Sequence, residues 1–123
     1  MSQQRILVIG QDPETVDFST PALSSFNADM IKAGIEEAKA SMARAGYDFD
    51  FLLTDAGETA ADVVATRLED DDYDVIIIGA GIRMQPPQTG LFEDVINTVI
   101  EMNPSALIGF NSTPQDTAEA VRR

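Results

Sequence analysis

Cysteine and histidine are both absent from the 123 residues, and only eight residues are basic. Losing both Cys and His removes thiol and imidazole nucleophiles, Ser-His-Asp triads and histidine general bases. It also removes zinc sites built from those ligands. No disulfide can staple the chain, which fits a reducing compartment. Long apolar runs are missing too. Ile6–Ile9 is followed at once by Gly10-Gln11-Asp12-Pro13, far short of a signal-peptide core or a membrane span. A cytoplasmic protein with no membrane partner is therefore expected.

The shortage of positive charge has a second consequence. Eight basic residues stand against 21 acidic ones, a net charge of −13 with no Lys/Arg cluster to reverse it locally. A field of that sign repels phosphate backbones and anionic headgroups, so nucleic acid is not an expected partner.

What remains is ample for one folded domain spanning residues 1–123. Apolar residues make up 44% of the chain and fall in regular patterns. A chain of this length buries roughly two-thirds of its unfolded surface. Arg5–Gly10 (RILVIG) and Tyr73–Gly79 (YDVIIIG) read as strands buried on both faces. Tyr47–Thr54 alternates, with Tyr47, Phe49, Phe51 and Leu53 on one face and Asp48 and Asp50 on a solvated one, the mark of an edge strand. Ala106–Phe110 is a short fourth strand.

Helices separate the strands. One begins at Asn27 and carries Ile31, Ile35, Ala38, Met42 and Ala45 at helical spacing, with Gly46 as its left-handed stop. A second opens at the capping-box spacing Asp55-Ala56-Gly57-Glu58 and carries Ala61, Val64, Ala65 and Leu68. A third runs from about Gly90 with Phe92, Val95, Ile96 and Val99 inward. The last starts at Pro114 behind a Thr113 cap.

The succession βαβαβαβα demands a parallel sheet with right-handed crossovers. Apolar runs at strands one and three favour the flavodoxin-like order 2-1-3-4 in a three-layer α/β/α domain. The Rossmann order 3-2-1-4 is the alternative, and it would leave the apolar strand three at an edge. The helices after strands one and four should share one face, and the other two the opposite face.

In such sheets ligands bind beyond the carboxyl ends of the strands, where the order reverses. That places a crevice between the Gln11–Phe26 and Gly79–Thr89 loops, both long for βα connections. Its candidate ligand-binding residues are Gly10, Gln11, Asp12, Gly79, Gly81, Arg83, Asn111, Ser112 and Thr113. Glycines after strand three permit close backbone approach, or simply let the chain turn. Gly79-Ala80-Gly81 lacks the third glycine and the immediate helix of a dinucleotide fingerprint, so no cofactor is assigned. Arg83 offers a planar fork for carboxylate or phosphate, or an internal partner for Asp12, Asp17 or Asp55. Asn111, Ser112 and Thr113 add neutral donors at a helix start. Asp12, Glu14, Asp17 and Asp55 match no metal-binding loop, so no metal is assigned.

Response-regulator receiver domains share this order of elements but place a phosphoacceptor Asp where this chain has Gly79. The segments ILVIGQDPETVDFSTPAL (Ile6–Leu23), VIIIGAGIR (Val75–Arg83) and FNSTPQDTAEAV (Phe110–Val121) resemble recurring segments of a family of small bacterial α/β proteins. That resemblance implies a flavodoxin-like or Rossmann-like fold and a common rim formed by the loops after strands one, three and four. It implies no particular chemistry.

Three functions follow in order of support. The first is a binding module for a small anionic metabolite. The second is an enzyme with Asp12 or Asp55 as general base and Arg83 as electrostatic stabiliser. The third is an interaction or assembly subunit. A homodimer through strand four and the last helix, or through the Gly90–Met102 helix, would cover the least protected surface.

Overall fold

The computed structural model describes residues 5–12, 28–54, 59–79, 82, 89–111 and 117–122. Its elements are β1 (Arg5–Gln11), α1 (Ala28–Arg44), β2 (Asp48–Thr54), α2 (Ala60–Asp70), β3 (Val75–Ile78), α3 (Thr89–Met102), β4 (Leu107–Phe110) and α4 (Thr117–Arg122). The four strands form one parallel, open sheet in the order β2-β1-β3-β4. The Rossmann alternative is thereby excluded.

The order follows from burial. Ile6–Ile9 and Val75–Ile78 are buried throughout, and each residue pairs with its counterpart from Ile6↔Val75 to Ile9↔Ile78. Strands apolar on both faces need a helical layer on each side. Alternation then sorts their side chains. Leu7, Ile9, Ile76 and Ile78 meet Ala60, Val64 and Leu68 of α2 and Val95 and Val99 of α3. Ile6, Val8, Val75 and Ile77 meet Met42 of α1 and Ala120 of α4, with Tyr47, Phe49 and Phe51 alongside. The helices after strands one and four thus share a face, as their patterns require.

Local geometry explains where elements stop. α1 ends in a Schellman motif. Gly46 has φ +81°, its N–H donates to the Ala43 carbonyl, and the Tyr47 N–H donates to the Met42 carbonyl. Tyr47 and Met42 then pack in the same cluster, the apolar contact that accompanies this cap. Ala45, expected on the buried stripe, lies beyond the helix and is exposed.

Other boundaries differ from the sequence reading. α3 includes Thr89, one residue ahead of the expected Gly90, and β1 extends one residue to Gln11, while Asn27, the expected start of α1, lies outside the described residues. α2 begins at Ala60 rather than at Asp55, preceded by Thr59, whose side chain makes no capping bond. Asp55–Glu58 lies outside the described residues, as do Thr113 and Pro114. The described part of α4 is helical over Thr117–Arg122. β3 is shorter than its apolar run because the Tyr73 N–H turns away to Asn103 Oδ1, 2.8 Å distant. Leu53 is 38% exposed, not buried beside Phe49 and Phe51, and Asp50 is half-buried among partners rather than solvated.

Asn103 is a buried brace at the start of β3 and β4. Its N–H closes α3 on Val99, its carbonyl accepts the Ala106 N–H, and its side chain accepts the Tyr73 N–H. Asn103→Ala would strand a buried donor, with an expected loss of about 1–3 kcal/mol. Urea denaturation with an unchanged m-value would register it. A loss within about 0.3 kcal/mol would show that the Tyr73 N–H finds another acceptor.

Candidate functional site

The strand order reverses between β1 and β3, and a glycine lies near the end of each: Gly10 is next to last in β1 and Gly79 directly follows β3. The Gly79 N–H donates to the Ile9 carbonyl at 2.7 Å. A methyl group built on Gly79 would lie 3.1 Å from that same carbonyl oxygen and 3.6 Å from Gly10 Cα. A side chain at this position would have to push the carbonyl back by a few tenths of an ångström, straining the hydrogen bond that the carbonyl accepts. Gly10 is looser, since its nearest contact would be Leu53 Cδ2 at 3.5 Å. Gly10 and Gly79 therefore leave backbone without side chains beside the reversal point, the place where open α/β sheets take ligands.

Polar residues flank this gap. Gln11 and Thr54 pair in register at the ends of β1 and β2 and are both buried. The Asp12 N–H donates to the Thr54 carbonyl at 2.7 Å, carrying the β1–β2 ladder one residue further. The Thr54 hydroxyl lies 3.5 Å from the Gly10 carbonyl. At the end of β4, buried Asn111 donates its side-chain amide to Thr117 Oγ1 at 3.1 Å, fastening α4 to the sheet. Its Oδ1 would be 3.9 Å from a methyl on Gly79. Gly10, Gln11, Asp12, Gly79 and Asn111 thus share the carboxyl edge of the sheet. Gly81, Arg83, Ser112, Thr113 and Asp55 lie outside the described residues, as do Glu14 and Asp17.

Beyond Gly79 the chain turns at once. The Ile82 N–H donates to the Gly79 carbonyl at 3.1 Å, and the Ile82 side chain is fully buried between α2 and α3. The sequence reading treated Ala80–Thr89 as loop and missed this anchor. Its signal was a lone β-branched residue amid Gly, Pro and Gln. The anchor ties the chain to the core one residue before Arg83.

A second cluster, also missed, occupies the opposite edge. The Arg5 guanidinium reaches Asp50 and Asp71 at 3.3 Å each and Asp48 at 3.6 Å, and lies 4.9 Å over the Tyr73 ring. Its backbone N–H donates to Asp74 Oδ2. The Tyr73 hydroxyl donates to Asp50 Oδ2 at 2.8 Å, and Arg67 stands 4.0 Å from the same oxygen. Hydrogen bonding to Asp71 raises the pKa of Arg5, and contact with Tyr73 raises that of Arg67. Here the acids surround a guanidinium belonging to the protein itself, so the cluster is a clamp on strand starts rather than a cation site. The clue was the parallel pairing itself, which sets Arg5 against Asp48.

The chain matches no protein-family model, no curated protein and no solved structure. The class is accordingly defined by the coordinates alone: an open, doubly wound, parallel α/β domain. Among the described residues no helix is long and apolar enough to cross a membrane.

Two outcomes test this geometry. Gly79→Ala should cost about 1–2 kcal/mol by overpacking against Ile9, whereas Gly10→Ala should change stability by no more than about 0.5 kcal/mol. Equal effects in chemical denaturation would refute the asymmetry.

At the other edge, burial raises the Tyr73 pKa above its ordinary 10.0, reinforced by Asp50 and opposed by Arg67. The folded protein then holds the phenolic proton more tightly than the unfolded chain. Tyr73 contributes fully below pH ~10, and that contribution declines as pH rises through the raised folded value. The stability advantage of the parent over Tyr73→Phe should therefore shrink above pH ~10 in pH-resolved melts. A constant difference up to pH ~12 would rule this out.

Proposed function

We propose that this chain is a cytoplasmic binding module for a small anionic metabolite, seated at the carboxyl ends of β1 and β3. The observation that carries the reading is the reversal of strand order between β1 and β3, with Gly10 next to last in β1 and Gly79 directly after β3. Ligand backbone contacts are favoured where no side chain intervenes and where N–H groups sit at strand and helix ends. Gln11, Thr54 and Asn111 supply buried polar surroundings along the same edge.

Charge supports an anion in particular. Arg5 and Arg67 are committed to carboxylates at the far edge. In sequence, Arg83 follows directly on the buried Ile82. In a chain of net charge −13, a guanidinium is the natural partner for a carboxylate or phosphate, and Arg83 is the residue assigned that role.

The test is a thermal-shift screen with phosphorylated and carboxylated metabolites, inorganic phosphate included. A ligand at a hundred times its Kd should add roughly 2.7 kcal/mol. Arg83→Ala should abolish that gain while changing the empty protein by about 0.5 kcal/mol or less. A loss of about 3–5 kcal/mol in the empty variant, with no anion stabilising the parent, would instead make Arg83 one half of an internal pair.

A further inference from the structure

The two edges of the sheet are protected unequally. β2 carries Asp48 and Asp50, the charged decoration that ordinarily discourages strand addition. β4 carries none. From Met102 to Gln115 no residue is charged, although 24% of the whole chain is. Among the described residues no strand pairs with the outer side of β4. Its Leu107 is 68% exposed, the most exposed of the large apolar side chains described.

The backbone on that side centres on Ile108. The Leu107 N–H donates to the Asp74 carbonyl, and the register runs Val75↔Leu107 and Ile76↔Ile108. Peptide groups of successive strand residues point to opposite sides, so the Ile108 N–H and C=O face away from β3. Beside them runs an apolar groove of about 230 Å³, whose lining includes Val75, Leu107, Gly109, Ala120 and Val121. Gly109 keeps this groove low. A methyl there would come within 2.8 Å of Ile77 Cδ1, with the Ala120 carbonyl at 3.5 Å.

We propose that two copies of this chain associate by antiparallel pairing of β4 with β4 about a two-fold axis at Ile108, extending the sheet across both protomers. In this register the Ile108 peptide groups of the two copies bond reciprocally. Leu107 falls opposite the partner's Gly109 in a non-hydrogen-bonded pair, where side chains stand closest. The exposed leucine is thus set against the residue with no side chain, beside the apolar groove, and the relation is reciprocal.

Charge selects the occupant. Copies bearing −13 repel one another, and contact costs least where uncharged surface meets uncharged surface. Pairing of β4 with β4 does this and leaves the Asp48 and Asp50 edges at the far ends. A basic partner would gain nothing from a segment without carboxylates. The contact is small, so micromolar affinity is expected. Raising salt should tighten it by screening the net repulsion.

Sedimentation velocity from about 1 to about 100 µM tests this, bracketing a micromolar Kd. The parent should dimerise, more tightly at higher ionic strength. Leu107→Asp should sediment as a monomer with an unchanged melting temperature, since the side chain is exposed within one protomer. Leu53→Asp, on the opposite edge, should still dimerise. A parent that stays monomeric throughout, a dimer that salt dissociates, or a Leu107→Asp variant that dimerises normally would each overturn the proposal.

Discussion

Ile6–Ile9 and Val75–Ile78 lie side by side with every side chain out of water, and the remaining architecture answers to that pair. Burying a side chain of this size contributes about 1.5–3 kcal/mol relative to leaving it exposed, and only where a cover is supplied. Side chains alternate above and below the sheet, so one helical layer would leave half of them wet. Two layers are required, α2 with α3 on one face and α1 with α4 on the other. Once both faces are covered, a ligand can reach the central strands only from their ends. The carboxyl end is the one where the chain crosses in opposite directions from β1 and β3.

The two ends of the sheet are built differently. At the amino edge, Arg5, Asp48, Asp50, Asp71, Arg67 and Tyr73 satisfy one another across β1, β2 and α2. Asn103 does the same with backbone groups around β3 and β4. At the carboxyl edge Gly10 and Gly79 lie at the ends of the central strands' pairing, and buried Gln11, Thr54 and Asn111 stand along the same edge. Closure is concentrated where the chain needs only to hold together, and side chains are withheld where the strand order reverses.

The lateral edges show a similar division. β2 meets solvent with carboxylates that also serve the Arg5 clamp, whereas β4 meets it with Leu107 and an uncharged segment. α4 is short, and among its described residues Ala120 joins the core face it covers, with Val121 packed against it. Gly109 lets that helix approach β4 closely. The lower half of the same face, at Leu107, is left open.

Much of this was legible in the residue order because it rests on periodicity, a local property. Two wholly apolar runs imposed the central strands, helical spacing of apolar residues assigned each helix its buried stripe, and Gly46 marked the only stop that needed a positive φ among the described residues. The sheet order and the pairing of helices by face followed from those patterns and from the handedness of crossovers. What tertiary structure alone decided are the contacts between residues far apart in the chain: Arg5 with Asp50 and Asp71, Tyr73 with Asn103, Asn111 beside Gly79, Ile82 between two helices. No spacing rule encodes these. A strand start meets its neighbour's start only after the sheet has formed, and the energy of such a pair depends on burial and distance that exist only in the folded chain.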